Sequence, residues 1–304
     1  SSLTTRPKTT ELKDVKSKPS LSENESIYSA LKLGLLDYVS KNKFTKVLIG
    51  ISGGIDSALT AAICVDALGS ENVLGVAMPS KYNSKESLED AITLSDNLGI
   101  NLKIIEIEKI VDSFREVLAN SLKEELGQIT DENIQSRVRG NILMGLSNQT
   151  GAMVVSTGNK SEMAVGYSTL YGDLAGGFAL IKDLYKTKVY ELSNYRNSIS
   201  DAIPENIISK EPSAELRPNQ FDSDSLPDYE VLDKILNLYI EEDSSSERII
   251  ASGVQPGLVY DVLEKVDRNE YKRKQVAPGV KLTQKAFGKD RRMPITNTYI
   301  RQKE

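Results

Sequence analysis

The stretch "KVLIGISGGIDSALTAAI", residues 46 to 63, concentrates three glycines, two serines and an aspartate between an apolar run and an alanine-rich segment. Gly50, Gly53 and Gly54 let backbone approach oxygen atoms closely, and Ser52 and Ser57 add hydroxyl donors. A strand ending in such a loop and running into a helix presents free N–H groups and the positive end of the helix dipole, which together favour phosphate. The loop lacks the lysine of a G-x-x-x-x-G-K-[ST] motif and does not fit G-x-G-x-x-G. Asp56 would repel phosphate unless a cation lay between them, so it is read as a Mg²⁺ ligand. The plain alternative is a small-residue turn packing helix on strand, set against the specificity of S-G-G-x-D-S after a buried strand.

A second candidate loop follows "AMVVSTG", where Thr157 and Gly158 lead into a helix carrying Glu162. Taken alone, Glu162 is better read as a capping-box residue. Two carboxyl-end loops of one sheet, however, let Glu162 face Asp56 across a nucleotide, and two carboxylates with phosphate oxygens make a Mg²⁺ cage.

The elements that must hold these loops follow from periodicity. Apolar runs "KVLIGIS", "NVLGVAMPS", "LKIIEIE" and "AMVVSTG" read as strands. They alternate with helical patterns at 56–68, 84–98, 109–126 and 132–148, the first two closed by Gly69 and Gly99. Short continuous apolar strands alternating with helices predict an α/β fold, a doubly wound parallel sheet covered on both faces, with ligands at the carboxyl ends of its strands. An amphipathic helix is expected over 24–40, and C-terminal helices near 186–197, 228–241 and 257–267, with a long irregular segment between the first two. Residues 1–22, polar and rich in Ser, Thr, Lys and Pro, read as a linker or disordered arm before one domain spanning 23–304. That opening, without methionine, is expected of a piece of a longer enzyme, though a trimmed chain explains it equally.

Composition narrows the chemistry. The sequence has no histidine and a single cysteine, Cys64, so Ser-His-Asp, Cys-His and His-ligated zinc chemistry are excluded, as is a CxxC pair. Cys64 lies on the apolar side of its helix and is expected to be core. Catalysis must rest on carboxylates, lysines, arginines, hydroxyls, backbone amides and a hard metal. A net charge of −5 argues against broad nucleic-acid or membrane binding. No apolar run is long enough to span a bilayer and no signal-peptide pattern opens the sequence, so a cytoplasmic location is the default expectation.

"SGGIDS" resembles the pyrophosphate loop of the ATP pyrophosphatase superfamily, whose fold is Rossmann-like, of the adenine nucleotide alpha hydrolase type. "TGNKSE…GYSTLYGD", with "ENIQSRVRGNILM" and "YKRKQVAPGVKLTQKAFGKDRRMPIT", is similar to NAD synthetase, closest to the synthetase domain of the glutamine-dependent form. The resemblance runs from about residue 24 to 300 with its motifs in family order. It implies that Gly50 to Ser57 bind the ATP phosphates, that Asp56 and Glu162 hold Mg²⁺, and that Thr157, Lys188 and Ser213 meet the nucleotide. It assigns Asn133, Arg137, Glu162, Tyr167, Ser168, Thr169, Leu170, Asp173 and Lys285 to deamido-NAD. The plain alternative for Lys186 and Lys188 is ordinary surface lysines, with function favoured for Lys188; Arg137 and Arg139 read equally as solvated salt-bridge residues. The basic run from Lys272 to Arg292 suits a segment closing over an anionic substrate.

The implied reaction is amidation of deamido-NAD to NAD: the carboxylate attacks the α-phosphorus of ATP, pyrophosphate leaves, and ammonia displaces AMP. Asp173 is the candidate for taking a proton from ammonium. The resemblance further implies a homodimer or larger assembly and a glutaminase domain upstream, for which Cys64 is misplaced. The rival readings are another synthetase unit of this superfamily, such as that of GMP synthetase, a tRNA-thiolating member, or a non-catalytic ATP-binding module.

Overall fold

The computed structural model describes residues 21–296. The expected arm over 1–22 lies outside the described residues except for its end, where the Ser22 hydroxyl already caps a helix by accepting from the Glu25 N–H at 3.2 Å. In chain order the elements are α1 (Glu23–Lys41), β1 (Val47–Gly50), α2 (Ile55–Leu68), β2 (Val73–Ala77), α3 (Lys85–Leu98), β3 (Asn101–Ile104), α4 (Glu108–Leu122) and α5 (Gln128–Thr150). Then come β4 (Met153–Ser156), α6 (Lys160–Val165), β5 (Phe178–Ala179), α7 (Lys186–Ile199) and α8 (Glu205–Ser209). The chain ends in α9 (Tyr229–Leu236), which runs into a π-helical turn at Asn237–Glu241, α10 (Ser246–Ala251), α11 (Pro256–Arg268) and α12 (Glu270–Arg273).

The five strands form one parallel sheet in the order β3-β2-β1-β4-β5. Strand periodicity sorts the core. Val47 and Ile49 of β1, with Met153 and Val155 of β4, join the cluster containing residues of α1, α2, α3 and α7. Leu48 and Val154, the alternate residues, face Val111, Ile134 and Val138 of α4 and α5. Cys64 is fully buried in the first cluster, and burial pushes its thiol pKa well up, as for an inert core residue. A third cluster, from Leu232, Ile235, Val259, Val262 and Leu263, welds α6 to α9–α11 beside the sheet. Among the described residues, no helix is long and apolar enough to cross a membrane.

The order reverses between β1 and β4: the chain winds outward through β2 and β3, then returns to the other side of β1. At such a switch point the two following loops diverge and leave a crevice. The glycine loop after β1 and the Thr157–Gly158 loop after β4 therefore face each other, as expected of neighbouring carboxyl-end loops.

Candidate active site

The crevice opens into a cavity of about 480 Å³ lined by Gly50 to Ser57, Thr157, Gly158 and Glu162, among others. The loop after β1 is held open by its own bonds. Ser57 Oγ donates to the Gly54 carbonyl at 2.9 Å, Ser52 N–H donates to Ser57 Oγ at 3.3 Å, and Gly54 N–H donates to Ser52 Oγ at 3.2 Å. Gly53 has φ +81°, and a Cβ there would stand 2.2 Å from the Ser87 carbonyl oxygen. Only glycine suits both the backbone and that approach. Gly54 caps the 14-residue α2 with no side-chain partner, so the first N–H groups of the helix remain available to an anion.

Asp56 and Glu162 meet at a lysine, but it is Lys186. The Lys186 ammonium ion-pairs with Asp56 Oδ2 and lies 3.7 Å from Glu162 Oε1. Asn159 Nδ2 donates to Asp56 Oδ1 at 3.0 Å. Glu162 also fills the capping-box role: its N–H donates to Asn159 Oδ1 at 2.9 Å, while the Asn159 N–H donates to Glu162 Oε2 at 3.3 Å. Burial and the neighbouring Asp56 charge raise the Glu162 carboxyl well above the usual range, against the pull of Lys186. Burial opposes the Lys186 ammonium, but Asp56 and Glu162 prevail and hold its pKa above that of an ordinary lysine. The site thus concentrates negative charge that calls for a cation.

Among the described residues no cluster of three or more His, Cys, Asp or Glu side chains is set to hold a metal. Mg²⁺ needs fewer, since it is bound by one or two carboxylates with substrate phosphates completing the shell. Asp56 and Glu162, hard oxygen donors converging on one cation beside an anion-binding loop, fit that requirement.

Lys188 is corrected by position. Its ammonium pairs with Glu191 at 2.6 Å and Glu23 at 3.6 Å on the outer side of α7, away from the cavity. Two residues span about 200° of a helix, so Lys186 and Lys188 cannot share a face. The Lys186 N–H donates to Ser161 Oγ at 2.9 Å, and the Thr187 N–H to Asp233 Oδ2 at 2.9 Å, which fixes the entry of α7 with Lys186 inward. Lys285 is likewise outside the cavity lining: its ammonium pairs with Asp243, and its N–H donates to Glu241 at 2.8 Å.

Thr157 and Ser213 both line the cavity. The lining also includes Asn133, Tyr167, Ser168, Thr169 and Asp173. Thr169 Oγ1 donates to Asn133 Oδ1 at 2.7 Å, and the Thr169 N–H donates to Asp173 Oδ1 at 2.6 Å. Asp173 is exposed, but to the water of the cavity it lines; the protein packed around that cavity pushes its carboxyl up to about 6, against the Thr169 N–H. Arg137 stands outside the lining on an exposed face of α5, where its Nε donates to the Leu170 carbonyl at 3.2 Å. Leu170 packs on Met163, Leu174 and Ala179 rather than lining the cavity.

Several lining residues went unassigned in the sequence reading. Arg139 Nε donates to the Met78 carbonyl and Nη2 to Asn83 Oδ1, both at 3.1 Å; burial lowers its pKa to about 10, against the attraction of Glu215. Lys272 donates to the carbonyls of Gly166 and Ser168 at 2.6 and 2.8 Å. Glu215, at φ +48°, accepts from Asn83 Nδ2 at 2.8 Å, Ser84 Oγ at 3.1 Å and Ser87 Oγ at 2.7 Å. It pins the irregular segment after α8 to the start of α3. Asp222 accepts from the Tyr229 hydroxyl at 2.7 Å at the margin of the carboxylate cluster. Lys272 belonged to a basic run, Lys186 to a lysine pair and Arg139 to an arginine pair, so a signal existed for those three; nothing local distinguishes Glu215 or Asp222.

Comparison with known proteins gives this geometry a lineage. The family model for NAD synthase matches residues 27–276. A glutamine-dependent NAD(+) synthetase of Aquifex aeolicus is 56% identical over 279 residues, covering 92% of this chain and 49% of the relative. One of Thermotoga maritima is 57% identical, covering 90% and 48%. The chain spans about half the length of the curated relatives it matches. Among solved structures, a glutamine-dependent NAD+ synthetase from Acinetobacter baumannii in complex with ADP superposes with TM-score 0.64 at 48% identity, over 93% of this chain and 52% of that one. An NH3-dependent NAD synthetase from Campylobacter jejuni superposes with TM-score 0.68 at 30% identity, over 83% and 96%. With its glycine loop, paired carboxylates and inward lysine at the switch point of a 3-2-1-4-5 sheet, the chain belongs to the NAD synthase family.

Proposed function

We propose that the chain amidates deamido-NAD to NAD, consuming ATP and releasing AMP and pyrophosphate. The observation that carries the reading is the convergence of Asp56, Glu162 and Lys186 beside the glycine loop, in a cavity that Asp173 and the 167–169 loop also line. The triphosphate lies along Gly50–Ser57, with Thr157 and Ser213 beside the nucleotide and Lys186, in place of Lys188, against its phosphates. Mg²⁺ held by Asp56 and Glu162 supplies charge neutralisation for the polyphosphate. Displacement at phosphorus needs alignment and charge compensation rather than a protein nucleophile, and the loop amides with Lys186 provide both.

The deamido-NAD carboxylate oxygen bonds to the α-phosphorus as the bond to pyrophosphate breaks. Ammonia then adds to the acyl carbon, AMP leaves and the amide remains. Asp173, with a carboxyl that titrates near neutrality, accepts the proton that ammonium must lose. Asn133, the 167–169 loop and Lys272 serve the dinucleotide. Nitrogen comes from ammonia, free or delivered by a glutaminase partner, and the working form is a homodimer or larger homo-oligomer in the cytoplasm. Assaying AMP, pyrophosphate and NAD with deamido-NAD, ATP, Mg²⁺ and ammonium tests the reading; ATP binding without deamido-NAD-dependent pyrophosphate release would instead favour a binding module.

A further inference from the structure

Lys160 is the largest side chain in the described residues with no exposed surface. It stands at the first turn of α6, next to Asn159 and two residues before Glu162, but turns away from the cavity. Its ammonium meets Asp183 Oδ1 at 2.9 Å and Glu241 Oε1 at 2.5 Å, and donates to Thr283 Oγ1 at 2.6 Å and the Lys285 carbonyl at 3.0 Å. The rings of Tyr185 and Phe287 close over it. Asp183 in turn accepts from the Leu282 and Thr283 N–H groups, each at 2.8 Å, and Glu241 accepts from the Lys285 N–H at 2.8 Å. Glu241 ends the π-helical turn, a distortion frequent at functional sites.

Two features make this hub more than a buried ion pair. First, one cavity anion and one cavity cation follow its members closely in sequence: Glu162 is two residues beyond Lys160, and Lys186 three beyond Asp183. The Lys160 N–H donates to the Leu184 carbonyl at 2.7 Å, locking those segments together. Second, the third arm comes from residues 277–287, beyond Val276 where the family match ends. This strap lies along β5, with the Ala179 N–H donating to the Pro278 carbonyl at 2.8 Å and Lys182 Nζ to the Ala277 carbonyl at 2.8 Å. It is pressed close: a Cβ on Gly279 would come 2.2 Å from the Ala179 carbonyl oxygen, and one on Gly34 of α1 would come 2.5 Å from Val280.

We propose that Lys160 is a positioning residue through which the 277–287 strap sets Glu162 and Lys186 in working geometry. A buried charge with its partners in fixed places has one arrangement, so the strap transmits its seating to α6 and the start of α7. The inference rests on the reading of Glu162 and Lys186 as residues that handle ATP.

The test compares the whole chain with Thr283→Val, Gly279→Ala, Lys160→Met and Lys160→Arg, measuring melting temperature, affinity for Mg²⁺-ATP by calorimetry, and kcat and KM for NAD formation. Thr283→Val, which leaves every charge in place, should stay folded yet lose about tenfold or more in kcat with little change in KM for deamido-NAD. Gly279→Ala should do the same from a position touching neither Lys160 nor the cavity. Lys160→Arg should keep more kcat than Lys160→Met. Folded Thr283→Val with wild-type kcat and wild-type ATP affinity would overturn the proposal, as would losses matching only the unfolded fraction. If the wild-type chain binds ATP but makes no NAD, the amidation reading fails by itself, and the ATP affinity of Thr283→Val decides the role of the strap.

Discussion

At the scale of single residues, the chemistry turns on which lysine faces inward. Lys186 is almost fully buried against two carboxylates, whereas Lys188 is shared between exposed acids. Lys186→Met should therefore lower kcat by about 10²- to 10³-fold, the usual loss when one charge-stabilising group is removed, and Lys188→Ala should stay within about twofold. Both are read by pyrophosphate release. Asp173 allows a pH test. Its carboxyl titrates near 6, so kcat at saturating ammonium should fall as pH drops through about 6, and Asp173→Asn should lose activity together with that limb. The stability effect has the opposite sense to that of a salt-bridged acid. With its folded pKa raised, the native state holds the extra proton; the contribution is full below the unfolded value and lost as pH rises through about 6. Asp173→Asn should thus gain melting temperature relative to wild type between pH 5 and pH 8. Asp56, Ser52 and Ser57 were legible because loop glycines and an acid stand in contiguous sequence. Lys186 was not, because the phase of α7 is set by Asp233 and Ser161, residues remote along the chain.

At the scale of elements, the glycine loop and the segment after α8 make opposite demands. The loop is rigid, and Gly53→Ala would force both a left-handed alanine and a clash with the Ser87 carbonyl. We expect it to lose about 1–3 kcal/mol of stability by urea unfolding and to raise KM for ATP more than tenfold. The segment from 204 to 227 is tied down by Glu215, by Asn206 on Asp90 and by the Leu216 carbonyl under Gln135. Burial raises the Glu215 carboxyl, but the Ser87 and Asn83 hydrogen bonds with the Lys210 charge outweigh it and keep it below the ordinary glutamate value. Glu215→Ala should free the segment, read as faster proteolytic cleavage within 204–227 that saturating ATP slows less than in wild type. Four strands and most helices were legible because period 2 and period 3.6 are local properties: β1 to β4 and α2 to α5 overlap the expected runs, though α5 begins four residues before its run and ends two after it. β5 was not, being two residues long after Gly176 and Gly177, too short for any periodicity. The expected helix over 228–241 holds as α9 but finishes as a π turn, where Glu241 is drawn to Lys160, a contact 81 residues distant in sequence.

At the scale of the whole molecule, a parallel sheet with helices on both faces makes one crevice between β1 and β4, and both chemical loops open into it. That placement followed from alternating strand and helix patterns, so the fold and the meeting of Asp56 with Glu162 could be anticipated together. What else closes the site was less legible, since Glu215 and Asp222 reach it through contacts spread across the chain. The lone cysteine, Cys64, is buried in the core and out of reach of glutamine, so glutamine is expected not to replace ammonium as the nitrogen source of this chain. The central claim is that Asp56, Glu162 and Lys186 serve cleavage of ATP between its α and β phosphates to activate a carboxylate. The most direct measurement is product analysis with deamido-NAD, ATP, Mg²⁺ and ammonium. Equal amounts of NAD, AMP and pyrophosphate, abolished in Asp56→Asn, are predicted; ADP and phosphate, or pyrophosphate release indifferent to deamido-NAD, would contradict the account.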